Sequence, residues 1–277
     1  MTGSTGFIGN YVTKELLKHG FNILATSILS EKEVPFSWLK KVDYIQADLK
    51  ERREDWFSFF GEPDLLIHLA WEGLPNYKEL FHLEQNLPSN YSFLKNMIEN
   101  GLKKVVVTGT CSEYGMQSGA LKEDLETKPD NPYSQAKDNL RKYLEQLQSI
   151  IPFNLKWIRL FYLYGKGQRP DSVLSQLETT LERKGEAFNM SGGEQLRDYL
   201  PVEKVAECIV KIAVQDKVSG IINCCSGKPI SIRKLVENYL FEKNKSIKLN
   251  LGYYPYPDYE PMAFWGDNTK LNEAMYD

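Results

Sequence analysis

A glycine-rich turn at the start of the chain constrains the fold more than any other feature. Gly3, Gly6 and Gly9 form the pattern G-x-x-G-x-x-G, which leads into an amphipathic segment at 11–19. Glycines at this spacing allow a tight turn and let a pyrophosphate approach the amino end of a helix, where free N–H groups and the helix dipole favour an anion. A strand is predicted at 21–25, so the turn has the context of a dinucleotide-binding α/β fold.

The strand that should precede this turn is almost missing. Only Met1 and Thr2 stand before Gly3, whereas the first strand of a doubly wound sheet is central and has neighbours on both sides. We therefore expect the natural gene product to extend by about five or more apolar residues upstream, or Met1 to be an internal methionine. Translation mapping or the intact mass of the natural protein tests this expectation.

The composition excludes several classes of function. The chain has 277 residues, of which 42% are hydrophobic and 26% charged, so it can bury a sizeable core in one or two lobes. A net charge of −3 gives no electrostatic reason to expect nucleic acid or an anionic membrane as a partner. The three histidines and four cysteines show no metal-ligand spacing. We expect no metal site, no membrane span, and buried reduced thiols in a cytoplasmic protein.

A tyrosine and a lysine in the middle of the chain form the candidate catalytic pair. Tyr133 and Lys137 follow Pro132, a helix-start residue, and their spacing places them on one face of the predicted helix. A neighbouring ammonium should lower the pKa of a phenol from about 10 and allow proton exchange with a carbinol or carbonyl oxygen. The chain contains Tyr-x-x-x-Lys four times. Only this copy follows an apolar run, 105–107, that leads to a hydroxyl at a strand end, Thr110.

Other strand ends are candidates for cofactor contacts. Ser27 ends the second predicted strand, where an NAD-preferring enzyme of this kind usually carries Asp or Glu for the ribose 2′-hydroxyl. Serine removes the repulsion of a 2′-phosphate and Lys32 is close in sequence, so we expect NADP in preference to NAD. Asp48 is a candidate contact for the adenine. Trp71, in the loop after the predicted strand 64–70, is either a packing residue or a platform for the substrate.

Two arginines are candidates for binding a diphosphate. Arg169 and Arg197 each stand beside a glycine-bearing turn, and a guanidinium group suits bidentate contact with phosphate. The alternative is that each is a surface arginine paired with a carboxylate, for which Asp198 is available to Arg197. The sequence leaves both interpretations open.

With these residues assembled, the chain resembles the extended short-chain dehydrogenase/reductases, the NAD-dependent epimerase/dehydratase family, over nearly its whole length. The resemblance lies in Gly3, Gly6, Gly9, Asp48-Leu49, His68-Leu69-Ala70, Thr110, Tyr114-Gly115, Tyr133, Lys137, Arg159, Tyr164-Gly165 and Arg197-Asp198-Tyr199. It implies a Rossmann-type doubly wound parallel sheet, an α/β fold, in residues 1–160, with 200–226 returning to it. A smaller substrate-binding lobe, mainly 161–277, should bind a nucleoside-diphosphate sugar, and a homodimer is expected.

The same resemblance implies a role for each site residue. Tyr133 is the acid/base, Lys137 holds the nicotinamide ribose and tunes the tyrosine, and Thr110 hydrogen-bonds the reacting oxygen. The implied cofactor contacts are Gly3, Thr5, Gly6, Phe7, Ile8, Ser27, Asp48, Leu49, Leu69, Ala70 and Lys137. The implied substrate contacts are Trp71, Thr110, Tyr162, Arg169 and Arg197, with Tyr162 standing where the family commonly has asparagine.

The residues after Thr110 indicate the reaction. Sugar 4,6-dehydratases place Asp-Glu there as acid and base, but this chain has Cys111 and Ser112, so we expect no dehydratase. Further matches at 69–77, 108–115 and 191–195 resemble the dTDP-4-dehydro-6-deoxyhexose reductases.

The expected reaction is NAD(P)H-dependent reduction of the C4 keto group of a nucleoside-diphosphate 4-keto-6-deoxyhexose, preferably a dTDP sugar, with Tyr133 as proton donor. One alternative is a nucleotide-sugar 4-epimerase with tightly bound NAD, which uses the same residues. Another is a non-catalytic cofactor-sensing regulator. Such regulators typically lack the catalytic tyrosine, which this chain keeps.

Overall fold

The computed structural model describes residues 1–276. Its strands are β1 (Leu24–Ser27), β2 (Asp43–Gln46), β3 (Leu66–His68), β4 (Lys104–Thr110), β5 (Gly119–Leu121), β6 (Asn154–Leu160), β7 (Tyr162–Tyr164), β8 (Ala187–Asn189), β9 (Leu196–Arg197), β10 (Tyr199–Pro201), β11 (Gly220–Cys224), β12 (Ile230–Ser231), β13 (Lys248–Asn250) and β14 (Phe264–Gly266). Its α-helices are α1 (Phe7–Lys18), α2 (Trp56–Phe59), α3 (Leu87–Glu99), α4 (Pro132–Gln148), α5 (Val173–Glu182), α6 (Val202–Val214), α7 (Ile232–Glu242) and α8 (Thr269–Met275).

A parallel sheet in the order β11-β6-β4-β3 forms the centre of the larger lobe. Its strands are buried on both faces because helices cover both sides, as is usual for parallel sheets. Val106 of β4 packs into an apolar cluster with α1 and α6, whereas Val105 and Val107 pack into a second cluster with α3 and α4. The predicted Rossmann-type doubly wound fold is confirmed.

Between β1 and β3 the sheet is continuous through Thr2. This residue forms isolated parallel bridges with Thr26 and His68, and its amide donates to the carbonyl oxygen of Ile67 at 3.0 Å. β1 pairs in parallel with β2 on the far side. The prediction that the first strand is largely missing from this chain is confirmed, because Met1 and Thr2 occupy its place.

The second half of the chain contains an apolar cluster separate from the two that cover the sheet. It joins α5, α7 and β8, and its buried members are Leu174, Leu177, Phe188, Met190, Leu235, Val236 and Leu240. Short strand pairs surround it: β8 with β13, β9 with β12, and β7 with β10. β11 pairs with β6 of the main sheet, and the domain boundary at residue 160 stays a prediction.

One short strand has no signal in the sequence. Tyr162–Tyr164 forms β7 and pairs in parallel with β10. The strand has three residues and its partner begins at Tyr199, so no local pattern could predict the pairing.

Within residues 1–276, no helix combines the length and the apolar character needed to cross a membrane. The four cysteines, Cys111, Cys208, Cys224 and Cys225, are free and buried, which confirms the prediction of buried reduced thiols.

Candidate active site

A cleft opens beside the glycine turn and the carboxyl ends of β1, β2 and β3. The backbone there requires glycine at two positions. Gly3 has a φ of +68°, and a Cβ on it would lie 2.7 Å from the backbone nitrogen of Ala70. A Cβ on Gly9 would lie 2.0 Å from the carbonyl oxygen of Gly3. Helix α1 can therefore pack directly on the turn only because these residues lack side chains.

The structure distributes the implied cofactor contacts as follows. Those that line the cleft are Gly3, Thr5, Ser27, Asp48, Leu49 and Ala70. Gly6, Phe7 and Ile8 form the cap and the first turn of α1. Leu69 differs, because its side chain packs against the apolar cluster of α1 and α6; only its backbone adjoins the cleft.

Two observations show that these residues fit a dinucleotide. Gly6 caps α1 without a side-chain hydrogen bond, and the first turn of the helix has no acidic residue, so its N–H groups are available to an anion. The hydroxyl of Thr26, in the lining of the cleft, is buried and has no hydrogen-bond partner among the described residues. A buried polar atom without a partner is costly and indicates a missing ligand or water. The residues present fit NAD(P).

Helix α4 positions the catalytic pair. Its first residue is Pro132, and the Asn131 side chain caps it by accepting the amide of Ser134 at 3.0 Å. Tyr133 and Lys137 lie one turn apart and are 8% and 3% exposed. Pro132, which the sequence indicated as the helix start, begins α4, and the Asn131 cap adds a second local signal for that start.

The strand end beside α4 completes the group. Lys137 Nζ donates to the carbonyl oxygen of Thr108 at 2.9 Å. Burial raises the pKa of the Tyr133 phenol, and the neighbouring Thr110 side chain opposes part of that rise. Thr110 Oγ1 also accepts the amide of Ser112 at 3.2 Å. The structure therefore brings together the three residues Thr110, Tyr133 and Lys137.

A buried ion pair supports this strand end. Glu113 accepts the backbone amide of Thr110 at 2.9 Å, Arg159 Nε at 2.7 Å and Trp157 Nε1 at 3.0 Å. The side chains of Glu113 and Arg159 are 0% and 1% exposed. Burial raises the pKa of Glu113, and the charge of Arg159 opposes that rise. Arg159 was recognised in the sequence only as part of the family pattern, and Glu113 was not recognised as its partner.

The pKa values of Tyr133 and Lys137 differ from those that the sequence led us to expect. In the ligand-free protein the pKa of Tyr133 is raised, chiefly by burial and next by the neighbouring Tyr77 phenol. Burial also lowers the pKa of Lys137 to about 7. The prediction that the ammonium lowers the pKa of Tyr133 is wrong for this state, because Lys137 is itself desolvated and its Nζ is bonded to Thr108. A phenol with a raised pKa is protonated at neutral pH and can donate a proton.

The lowered pKa of Lys137 predicts that replacing this lysine by an uncharged residue stabilises the folded protein. Its pKa falls from an ordinary 10.5 to about 7 in the folded protein. As pH falls from 10.5 towards 7, the unfolded chain therefore binds a proton that the folded protein does not, and folding is progressively disfavoured; below 7 the penalty is constant. Lys137→Met should raise the Tm of the ligand-free protein at pH 7 by about 2–6 °C.

The difference in Tm should shrink as pH rises towards 10, and calorimetry at several pH values measures it. Lys95→Met, which changes a half-exposed lysine of α3, is the control and should show no such pH dependence. A Tm of Lys137→Met at or below that of the wild type at pH 7 would contradict the prediction.

Trp71 packs against His82 and Lys137, and its role as a platform for the substrate stays a prediction. Its indole Nε1 donates to Nδ1 of His82 at 3.1 Å, and the centre of its ring lies 4.0 Å from the ammonium of Lys137. Trp71 also lines the cleft. It is therefore a packing residue whose ring covers the catalytic lysine at the cleft wall.

Arg197 is buried, and its charge is neutralised by Glu260, a residue distant in the sequence. Its side chain is 2% exposed and pairs with Glu260 at 3.0 Å. Tyr162 donates its hydroxyl proton to the same carboxylate. The partner considered from the sequence, Asp198, instead accepts two backbone amides of the loop after β11. A diphosphate that reaches Arg197 must share the guanidinium with Glu260 or displace that carboxylate.

Arg169 lies at the surface and is held by two partners. Its Nε pairs with Asp171 at 2.8 Å, and its Nη1 donates to the hydroxyl of Tyr77 at 3.0 Å. Tyr77 in turn packs against Tyr133, with 5.3 Å between ring centroids. Of these contacts, only the pairing of a surface arginine with a carboxylate was anticipated from the sequence.

A dinucleotide cleft at a glycine turn and a buried Thr–Tyr–Lys group at the carboxyl edge of a parallel sheet define an NAD(P)-dependent short-chain dehydrogenase/reductase. The chain belongs to the NAD dependent epimerase/dehydratase family, whose model matches residues 1–225. The predictions of this family and of an NAD(P)-dependent oxidoreductase that acts on a nucleotide sugar are confirmed.

Among curated proteins, the chain is 34% identical to dTDP-6-deoxy-L-talose 4-dehydrogenase (NAD(+)) of Aggregatibacter actinomycetemcomitans, over 96% of this chain and 98% of that protein. It is 24% identical to dTDP-4-dehydro-6-deoxyglucose reductase of Escherichia coli, over 88% of this chain and 81% of that protein.

Solved structures of the same fold include a UDP-N-acetylglucosamine 4-epimerase from Methanobrevibacter ruminantium M1. It has a TM-score of 0.87 and 20% identity, and the match covers 100% of this chain and 91% of the other. MoeE5 in complex with UDP-glucuronic acid and NAD has a TM-score of 0.81 and 23% identity, over 99% of this chain and 91% of the other.

Proposed function

We propose that this protein reduces the C4 keto group of a dTDP-4-keto-6-deoxyhexose. The observation that carries the proposal is the position of Tyr133, a buried phenol beside Thr110 and Lys137 that packs against Trp71, a residue in the lining of the cleft that fits NAD(P). The reduced nicotinamide, when bound, supplies a hydride. Tyr133 supplies the proton that the carbonyl oxygen must gain.

Two hydroxyl groups converge on that oxygen. Thr110 Oγ1 already accepts an amide, so its own proton is directed to the phenol or to the substrate. Tyr133 is protonated at neutral pH because burial raises its pKa. Both O–H groups can donate to an oxygen that becomes negative during the reaction, which stabilises the developing charge. Lys137 lies one turn further along α4 and is the residue we assign to the nicotinamide ribose.

The choice of reaction follows from the residues after Thr110. Burial raises the pKa of Cys111, so neither this thiol nor Ser112 can serve as acid or base for the elimination of water. The relative with 34% identity is named for a 4-dehydrogenase of a dTDP-6-deoxy sugar. A 4-dehydrogenase and a 4-ketoreductase perform the same step in opposite directions. We assign Arg197, Tyr162 and Arg169 to the substrate side.

The surroundings of Ser27 modify the choice of cofactor. The hydroxyl of Tyr44 donates to the carbonyl oxygen of Leu29 at 2.7 Å, so the 2.7 Å contact between Ser27 and Tyr44 uses the serine proton. Ser27 Oγ also accepts the amide of Leu29 at 3.1 Å, so its remaining lone pair can accept a ribose 2′-hydroxyl but not bind a 2′-phosphate. Burial raises the pKa of Tyr44, and the carboxylates of Glu33 and Glu31 raise it further.

Glu31 and Glu33 thus lie within charge range of Tyr44, whose hydroxyl contacts Ser27, and their charges disfavour a 2′-phosphate at Ser27. The preference for NADP that we predicted from Ser27 alone is therefore replaced, in this proposal, by a preference for NADH. The predicted homodimer and cytoplasmic location stay predictions.

One assay tests the proposal. The purified protein is incubated with dTDP-4-keto-6-deoxy-D-glucose or dTDP-4-keto-6-deoxy-L-mannose and with NADH or NADPH, and the product sugar is identified by NMR. We expect stoichiometric oxidation of the cofactor, with kcat/KM for NADH at least about tenfold above that for NADPH. Copurifying NAD with 4-epimerisation that needs no added cofactor would support the epimerase instead. If the protein turns over neither keto sugar, the proposed reductase function is wrong.

A further inference from the structure

The loop after β3 brings a second phenol beside Tyr133. The carbonyl oxygen of Tyr77 accepts the backbone amide of Tyr133 at 3.1 Å, and this amide belongs to the first turn of α4, where amides have no partner within the helix. The two rings lie 5.3 Å apart. Tyr77 is 39% exposed, whereas Tyr133 is 8% exposed. The backbone thus holds an accessible phenol against the buried catalytic one.

Arg169 restricts the hydrogen bonds that the hydroxyl of Tyr77 can form. Its Nη1 donates to the phenol oxygen at 3.0 Å, and a guanidinium has no acceptor atom, so Tyr77 cannot return its proton to Arg169. Asp171 fixes the guanidinium through Nε at 2.8 Å. Among residues 1–276, the hydroxyl of Tyr77 has this one hydrogen-bond partner. Because Tyr77 is exposed, its proton is available to an acceptor on a bound ligand.

Three rings pack around the ring of Tyr133. The ring centroids of Tyr77, His82 and Trp71 lie 5.3, 5.4 and 6.1 Å from that of Tyr133. His82 is buried and Trp71 is half-buried, whereas Tyr77 is exposed. Tyr77 is therefore the member of this group that a ligand from solvent can contact most readily.

We propose that Tyr77 is a substrate-binding residue that donates a hydrogen bond to the sugar of the bound nucleotide sugar, and that Arg169 positions Tyr77 instead of binding the diphosphate. The hydroxyl and ring oxygens of a hexose have lone pairs that accept such a bond. The identity of the sugar rests on the proposed function; the geometry of Tyr77 and Arg169 does not. Tyr77 then helps to determine which face of the hexose meets Tyr133.

The test measures binding and does not need turnover. In the presence of saturating NADH, dTDP and dTDP-L-rhamnose are each titrated into the protein in a calorimeter. The ratio of the two dissociation constants isolates the contribution of the sugar. For Tyr77→Phe we expect the affinity for dTDP-L-rhamnose to fall about 3- to 10-fold, the loss of one hydrogen bond, with the affinity for dTDP unchanged.

Arg169 variants separate the two roles considered for this residue. Arg169→Gln should reduce the sugar contribution in the same direction, and adding it to Tyr77→Phe should have no further effect, because Arg169 acts through Tyr77. Arg169→Lys, which can still donate to the phenol, should retain most of the affinity. Tyr253→Phe and Arg233→Gln are the matched controls, an exposed tyrosine and a surface arginine paired with a carboxylate.

Each of the other outcomes contradicts one stated part of the proposal. An unchanged ratio in Tyr77→Phe, with wild-type binding intact, overturns the proposal for Tyr77 and leaves the proposed function standing. A loss of dTDP affinity in Arg169→Gln, or additive effects in the double variant, overturns the positioning role and restores Arg169 as a diphosphate ligand. If the wild type binds neither ligand, the dTDP-sugar function fails, and the Tyr77 proposal fails with it.

Discussion

Tyr133→Phe should lower kcat for reduction of the keto sugar by about 100- to 10,000-fold, with NADH binding nearly intact. The substitution removes only the hydroxyl group, which is the proton donor to the carbonyl oxygen, and leaves the rest of the side chain unchanged. The ring that remains can keep its edge contacts with Trp71 and His82, whose centroids lie 6.1 and 5.4 Å away. The loss should therefore appear in kcat, since Thr110 and Lys137 stay in place to bind and orient.

The control is a tyrosine with the same sequence spacing outside the site. Tyr91 stands four residues before Lys95 and packs against Tyr143 with 5.3 Å between ring centroids, so Tyr91→Phe should leave kcat unchanged. Steady-state kinetics and NADH fluorescence titration measure the two quantities separately. A parallel loss of NADH affinity in Tyr133→Phe would show that the phenol is structural.

Arg159→Met should destabilise the protein by about 3–5 kcal/mol at pH 7, because it leaves the carboxylate of Glu113 buried without its counter-charge. The carboxylate is 0% exposed, and its remaining partners, the amide of Thr110 and the indole of Trp157, are neutral. Burial already raises the pKa of Glu113. In the variant the folded protein binds a proton there more strongly still, so the deficit should be smallest in acid and grow as pH rises.

Urea unfolding of the wild type and the variant measures this deficit. The double variant Arg159→Met with Glu113→Gln is the control. Glutamine keeps acceptors for the amide and the indole without the charge, so we expect most of the stability to return. A deficit in Arg159→Met below about 1 kcal/mol, or one that does not depend on pH, would contradict an ionised buried Glu113.

Local patterns in the sequence were sufficient to predict the parts of the site that depend on local structure. The glycine turn, the proline before Tyr133, and the apolar run that leads to Thr110 each fix a conformation within a few residues. Because the carboxyl ends of parallel strands meet at one edge, these segments also had to come together. The doubly wound fold and its nearly absent first strand followed from the same patterns.

Contacts between distant segments could not be predicted in this way. Glu260 lies 63 residues beyond Arg197, and no spacing connects the two. Tyr77 faces Tyr133 because its carbonyl satisfies an amide of α4, a contact without a sequence signal.

The prediction of a lowered pKa for Tyr133 was wrong because it considered only neighbours along the sequence. Proximity along a helix predicted a lowered pKa for Tyr133, but burial of both Tyr133 and Lys137 outweighs their proximity.

The narrow connection at Thr2 has a thermodynamic consequence. The backbones of Met1, Thr2 and Ser4 join β1 and β2 to the rest of the sheet, and the cleft spans that junction, with Ser27 on one side and Ala70 on the other. A dinucleotide seated there bridges both halves and resists their separation. Occupancy of the cleft at 100 times the dissociation constant adds about 2.7 kcal/mol to the free energy of unfolding. Heat tolerance and amide exchange along this junction are thereby linked to the concentration of reduced nicotinamide.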